Sequence, residues 1–187
     1  MDKEREQELI TRCRAGDGES FGLLYDAYIQ KIFNFIYYRV GSREIAEDLT
    51  SQTFFKALKK IKKFQGEYFS AWLFRIARNT VIDHYRTSRP TDNIDEFFDL
   101  RSHKDLEAEV DTKRTLEEVK NFLKTLKKEQ EEVVIMRVWE GLSYKEIAEV
   151  IGKSEANCKM IFSRALNSLR RELPLGLFLS LLIKDLF

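Results

Sequence analysis

The amino-acid sequence predicts an all-α protein: two small helical domains joined by a flexible acidic linker. Three observations carry that expectation. Apolar residues recur at three- and four-residue spacing over most of the chain. Two prolines and eight glycines among 187 residues leave little punctuation for an all-β fold. Charge is segregated, with 16 basic and 12 acidic side chains in residues 1–90, 4 and 10 in 91–118, and 12 and 9 in 119–187, so that two mildly basic lobes flank an acidic middle. Hydrophobic content of 43% with 34% charged residues suits a soluble globular protein.

The amino terminus, MDKEREQELI, has no apolar core of the kind a secretory signal needs, so the expected compartment is the cytoplasm. From Phe21, the residues Leu24, Tyr25, Tyr28, Ile32, Phe35 and Ile36 mark the inward stripe of a long helix that Gly41 stops. Ser42 can cap the next helix, with Ile45, Ala46, Leu49, Thr53, Ala57 and Ile61 facing inward and Asp48, Ser51, Gln52, Phe55, Lys56 and Lys59 on the opposite face. After Gly66, a third helix begins near Ser70. It buries Trp72, Leu73, Ile76, Ala77, Thr80 and Val81, leaves Arg75, Arg78, Asn79, Asp83 and Arg86 mostly elsewhere, and ends before Pro90.

Residues 91–111 are acidic with little sustained periodicity and read as a linker. A flexible coil of that length averages about 25 Å end to end, with an extended limit near about 70 Å. The Phe97-Phe98 pair is unusual for a pure spacer and suggests that part of it docks. Beyond it, Thr115 and Glu118 form a capping box ahead of a stripe from Leu116 to Leu126, and a second helix rich in Val133, Val134, Met136 and Val138 stops at Gly141. Ser143 and Glu146 make another capping box, with Ile147, Ala148 and Ile151 inward. Gly152 supplies a turn, and Ser154 caps a helix that buries Cys158, Ile161, Phe162, Ala165 and Leu169. Two helices with a short glycine-containing connection make a helix-turn-helix. The apolar tail 174–187 is shorter than the roughly 20 residues that span a bilayer, so no transmembrane segment is expected; packing against the carboxy-terminal domain or the interdomain surface is favoured over a protein or membrane-surface contact.

Cys13 and Cys158 are too few and too far apart to make a disulfide framework, and His84 and His103 stand apart from them, so structural thiols and no metal are expected. No phosphate-cradling glycine loop or nucleophile elbow is present, which leaves an enzyme without a catalytic constellation and predicts neither cofactor nor small-molecule substrate. Two segments suit nucleic acid. In the helix-turn-helix, Ser154, Glu155, Asn157, Lys159, Met160, Ser163 and Arg164 are placed to meet a duplex. Between Phe64 and Arg86, the aromatics Phe64, Tyr68, Phe69 and Trp72 are interleaved with Arg75, Arg78, Asn79 and Arg86, as stacking on single-stranded bases requires; the plain alternative is that Phe64 and Trp72 are core residues.

The run AEDLTSQTFFKALKKIKKFQGEYFSAWLFRIARNTVIDHYR resembles region 2 of the extracytoplasmic-function sigma factors of bacterial RNA polymerase, and residues 121–172, including LSYKEIAE, resemble their region 4. The resemblance implies a transcription initiation factor, with residues 1–90 as region 2, 112–173 as region 4 and a linker threaded through the polymerase. It implies that Asp48, Ser51, Gln52 and Phe55 bind core RNA polymerase. It also implies that Gln65, Tyr68, Phe69, Arg75, Arg78, Asn79, Asp83 and Arg86 open and read the minus-ten promoter element, with the duplex-facing residues named above reading the minus-thirty-five element. An anti-sigma factor, able to hold the protein at the membrane, is an implied partner. The family commonly has Gln-Glu where this chain has Ser51-Gln52, and often Thr-Val-Lys-Ser-Arg where it has Asn157 to Ile161, so its duplex contacts are expected to differ from the family pattern. A helix-turn-helix regulator that works without polymerase is the competing function, and it leaves the aromatic and basic segment 64–86 unexplained. A helical adaptor that sequesters another protein is the competitor from outside DNA binding.

Overall fold

The computed structural model describes residues 1–88, 123 and 125–172. Among these every regular element is helical. The chain divides into two compact units, Met1–His103 and Lys104–Phe187, and the division falls inside the acidic segment 91–111. The capping box at Thr115 and Glu118, the Phe97-Phe98 pair and the tail 174–187 lie outside the described residues.

In the first unit, α1 (Lys3–Arg14) precedes the first helix expected from periodicity. The Asp2 carboxylate caps it by accepting from the Arg5 amide at 2.8 Å. Glu4 and Glu6 in its first turn and Arg12 and Arg14 in its last complement the helix dipole. Only Leu9, Ile10 and Cys13 are buried, a stripe too short to stand out in so charged a run. Asp17 caps α2 (Gly18–Val40), accepting from the Ser20 hydroxyl at 2.8 Å, the Glu19 and Ser20 amides at 3.0 and 3.3 Å, and Arg12 Nε at 2.9 Å. These bonds, the one from the Ser20 hydroxyl foremost, hold the carboxyl down at about 2.

Gly41 ends α2 at φ 71°, and its N–H donates to the Tyr37 carbonyl at 2.9 Å. Ser42 then caps α3 (Arg43–Lys60). The expected inward residues Ala46, Leu49, Thr53 and Ala57 are buried, joined by Thr50 and Phe54. A 3-10 turn, Ile61–Lys63, leads through a loop into α4 (Phe69–Ser88). The core lies among α2, α3 and α4. Phe35 meets Phe74 edge to face at 5.1 Å, and Leu24, Ile32, Ile36, Leu73 and Val81 are completely enclosed. Each such side chain stabilises the unit by about 1.5–3 kcal/mol through burial.

The second unit is built from α5 (Lys128–Val134), α6 (Tyr144–Ile151) and α7 (Glu155–Glu172). The helix expected to run up to Gly141 is not uniformly α-helical. It widens into a π turn over Ile135–Trp139, where the Glu140 N–H reaches back to the Ile135 carbonyl at 3.2 Å. Ser143 and Glu146 form the expected capping box: the Ser143 N–H donates to Glu146 Oε2 at 2.7 Å and the Glu146 N–H to Ser143 Oγ at 3.3 Å. Gly152, at φ 72°, closes α6 and turns the chain. Ser154 Oγ accepts from the Asn157 amide at 3.2 Å and starts α7. Ile147, Cys158, Ile161, Phe162 and Ala165 are buried as expected, whereas Ala148 and Ile151 are half-buried and Val150 takes the interior place.

Burial raises the thiol pKa of both Cys13 and Cys158, which suits structural cysteines. Among the described residues, no helix is long and apolar enough to cross a membrane, and no cluster of three or more His, Cys, Asp or Glu is arranged to hold a metal ion.

Candidate nucleic-acid and protein interfaces

Three helix faces collect the residues singled out by sequence. On α3, Asp48, Ser51, Gln52 and Phe55 are all exposed and, at spacings of three and four, form one stripe. The Phe55 ring stands 58% exposed, with Lys59 Nζ 4.1 Å from its centre. Beside this stripe a groove of about 460 Å³ opens between α2 and α3, lined by Tyr25, Ile29, Gln30, Phe33, Arg43, Glu47, Thr50 and Ser51. Tyr25, expected to face inward, is instead 38% exposed and packs edge-on against Phe54 at 4.7 Å.

The second face belongs to α4 and the loop before it. Arg75, Asn79, Asp83 and Arg86 are exposed along one side of α4, and Arg78 is half-buried beside them. Lys56 crosses from α3 to this face. Its ammonium donates to Thr80 Oγ1 at 3.1 Å and lies 3.7 Å from Asp83 Oδ2, while Thr80 donates its own proton to the Ile76 carbonyl at 2.9 Å. Gln65 is exposed in the loop, and Tyr68 is half-buried with Lys3 Nζ of α1 5.5 Å from its ring centre.

Phe69 differs from the other residues implied to meet the minus-ten element in being buried. It is only 1% exposed, enclosed by Tyr28 at 5.5 Å, Phe64 at 5.8 Å and Trp72 at 5.5 Å, so in this conformation it supports the loop from below and has no face for a base to stack on. Phe64 is likewise core. Gly66 is needed for this packing, because a Cβ there would stand 2.7 Å from the Phe64 ring.

The third face is the outer surface of α7. Lys159, Met160, Ser163 and Arg164 are exposed, as is Ser154 at the cap, while Glu155 and Asn157 are half-exposed. Glu155 Oε1 and Lys159 Nζ pair at 2.6 Å, and the hydrogen bond from Lys159 draws the Glu155 carboxyl below its ordinary range. Tyr144 of α6 lies between two cations, with Arg137 at 5.0 Å and Lys159 at 5.7 Å from its ring, and meets Phe162 edge-on at 5.9 Å. Lys153 in the turn is tied to Glu129 of α5 at 2.5 Å. The second helix is thus fixed to the first through its side chains as well as through the Gly152 turn.

Residues 24–91 match the family model for Sigma-70 region 2, and residues 116–169 match that for Sigma-70, region 4. Over 180 residues the chain is 41% identical to the ECF RNA polymerase sigma factor BldN of Streptomyces coelicolor, covering 92% of this chain and 67% of that protein. The chain belongs to the ECF sigma factors. These are transcription initiation factors that direct RNA polymerase to promoters, and the family is not one of enzymes. This ECF sigma factor is also 32% identical to the RNA polymerase sigma factor YlaC of Bacillus subtilis, over 80% of its own length and 90% of the relative's. Among solved structures, CnrH in complex with the cytosolic domain of CnrY matches with a TM-score of 0.69 over 91% of this chain and 96% of that one; at 23% identity this likeness establishes fold. RpoE of Bartonella quintana, solved in complex with the anti-sigma factor NepR, matches with a TM-score of 0.63 and 25% identity over 82% and 96% of the two chains.

Several surface residues of this ECF sigma factor escaped the sequence reading. Leu23 on α2 and Leu58 on α3 are 47% and 48% exposed, although apolar periodicity alone draws such residues toward the core. Lys56 was placed on the outer face of α3 without its link to α4, since a bond between residues 24 positions apart leaves no local pattern.

Proposed function

We propose that this sigma factor divides its work among the three faces. Residues 1–90 form the region 2 domain, 91–111 the linker, 112–173 the region 4 domain and 174–187 an apolar tail. The α3 stripe of Asp48, Ser51, Gln52 and Phe55, with the groove beside it, binds core RNA polymerase. The α4 face and the loop from Gln65 to Tyr68 capture the minus-ten element as melted strand: Asn79 and Asp83 offer hydrogen bonds to an unpaired base, while Arg75, Arg78 and Arg86 hold backbone. Captured unpaired bases shift the local duplex equilibrium by mass action, so melting requires no nucleotide hydrolysis. The outer face of α7 enters the major groove of the minus-thirty-five element as duplex. The protein acts in the cytoplasm. An anti-sigma factor, the kind of partner in the RpoE structure, is expected to occlude these faces and to hold the protein at the membrane.

The single observation that carries this reading is that α3 and α4, packed together in one compact unit, present exposed stripes of different chemistry. One helix presents an exposed aromatic and acidic stripe, the other a basic and amide stripe, and a polymerase-independent regulator has use for only the second. The test separates the two DNA faces. Asn79→Ala is expected to alter minus-ten discrimination or open-complex formation, and Arg164→Ala to weaken minus-thirty-five engagement and its salt dependence. Identical responses of the two variants to substitutions in each element would refute the division.

A further inference from the structure

Helix α7 winds at about 3.6 residues per turn, which sets the buried residues Cys158, Ile161, Phe162 and Ala165 on one side and Ala156, Met160, Ser163 and Asn167 directly opposite. All four of the opposite residues are exposed. Glu155 and Lys159 lie to one flank of this ridge and Asn157 and Arg164 to the other. The two flanks carry the charge and the hydrogen-bonding groups. On the Glu155 side, carboxylate and ammonium are already joined at 2.6 Å, and Lys159 also leans toward Tyr144.

The leading half of the ridge therefore consists of Ala156 and Met160, one helical turn apart, whose side chains offer no donor and no acceptor stronger than the Met160 thioether. Met160 is 46% exposed although no core packing requires it there. In a major groove, the apolar partner for such a surface is the C5-methyl group of thymine, the one apolar group that base edges present there.

We propose that Ala156 and Met160 are specificity-determining residues that read thymine methyl groups in the minus-thirty-five duplex. The proposal rests on the role of α7 given above. Asn157, Ser163 and Arg164 set register through phosphates and polar base edges, and the Ala156–Met160 strip selects A·T pairs at one or two positions by excluding water from the methyl. Burying one methyl is expected to contribute about fourfold in affinity. The lengthy, unbranched Met160 side chain can follow a methyl on either strand.

The experiment uses holoenzyme reconstituted from core polymerase and the full chain, bound to a promoter whose minus-thirty-five element has been found by footprinting. Each thymine of the element, on either strand, is replaced singly by deoxyuridine, which removes the methyl and keeps every hydrogen-bonding group. At one or two positions the affinity is expected to fall about fourfold. In Met160→Ala or Ala156→Ser holoenzyme, at least one of these penalties is expected to disappear; both residues are exposed, so the variants retain the fold, as helical circular dichroism will verify.

Three results overturn the proposal: an element free of thymine, a sequence-specific duplex footprint indifferent to every deoxyuridine, or penalties that persist unchanged in both variants. A holoenzyme with no specific duplex contact upstream of the melted region would instead remove the role assigned to α7, and this inference with it.

Discussion

Replacing Lys56 by alanine separates a structural from a functional role for the bridge between α3 and α4. The Lys56–Asp83 pair is solvent-facing, with side chains 38% and 58% exposed and an N–O separation of 3.7 Å. A pair so exposed contributes about 0.2–1 kcal/mol to stability. At roughly 4–8 °C per kcal/mol for a unit of this size, loss of the ion pair should lower Tm by no more than about 8 °C, and loss of the Lys56–Thr80 hydrogen bond by a comparable further amount. Its effect on DNA should be of another kind. Without the ammonium, the Asp83 carboxylate stands uncompensated on the face proposed to hold the melted strand. Against a phosphate roughly 7 Å away, a full negative charge costs about 0.6 kcal/mol in water, or near threefold in affinity at low salt. That penalty should shrink as salt rises past about 0.1 M, where the Debye length is near 10 Å. Fluorescence anisotropy of holoenzyme with a labelled minus-ten strand will measure it, in a cycle with Asp83→Ala. The reasoning fails if Lys56→Ala binds like the parent protein at low salt, or if it loses as much affinity in the Asp83→Ala background as outside it.

Asp48→Arg combined with Gln52→Ala should weaken core polymerase binding by tenfold or more in a competition assay while the isolated protein melts unchanged, because both side chains are exposed. Ser143→Ala removes one half of the capping box and should cost the second unit about 1 kcal/mol, read as a fall in its thermal midpoint. Asp17 supplies a pH signature. Its carboxyl is lowered from 3.8 to about 2, so the stability it adds is fully present above pH 4 and disappears as pH falls from 4 through 2. Urea midpoints should therefore fall faster over that window for the parent protein than for Asp17→Asn, with a constant difference above pH 5.

The helices most legible in sequence were those whose ends carry side-chain signals. Ser42, Ser143 with Glu146, Gly41, Gly152 and Ser154 mark boundaries that the structure keeps, because each supplies a hydrogen bond or a left-handed residue that the backbone end requires. Helix α1 was missed because its apolar stripe is only Leu9, Ile10 and Cys13, and its boundary signal is an unremarkable Asp2. The π turn was invisible for a different reason: Ile135 and Met136 remain buried in either helical form, so the apolar pattern is indifferent to the widening. For the faces themselves, periodicity located the exposed residues of α3, α4 and α7 well. It failed at Tyr25, where the depth of packing decides between core and surface; the burial of Phe69, a residue named from the interleaving of aromatic and basic residues and from resemblance, has the same cause. Tertiary links such as Lys56 to Thr80 and Arg137 to Tyr144 have no signature short of the fold.

The most direct measurement of the central claim is transcription from a genomic DNA library by core polymerase with and without the full chain, coupled to footprinting. The account predicts transcripts from a defined promoter set only when both are present, with one protected duplex segment upstream and one melted segment near the start site. Equal protection of the same sites by the chain alone, with no polymerase-dependent melting and no new transcripts, would contradict it.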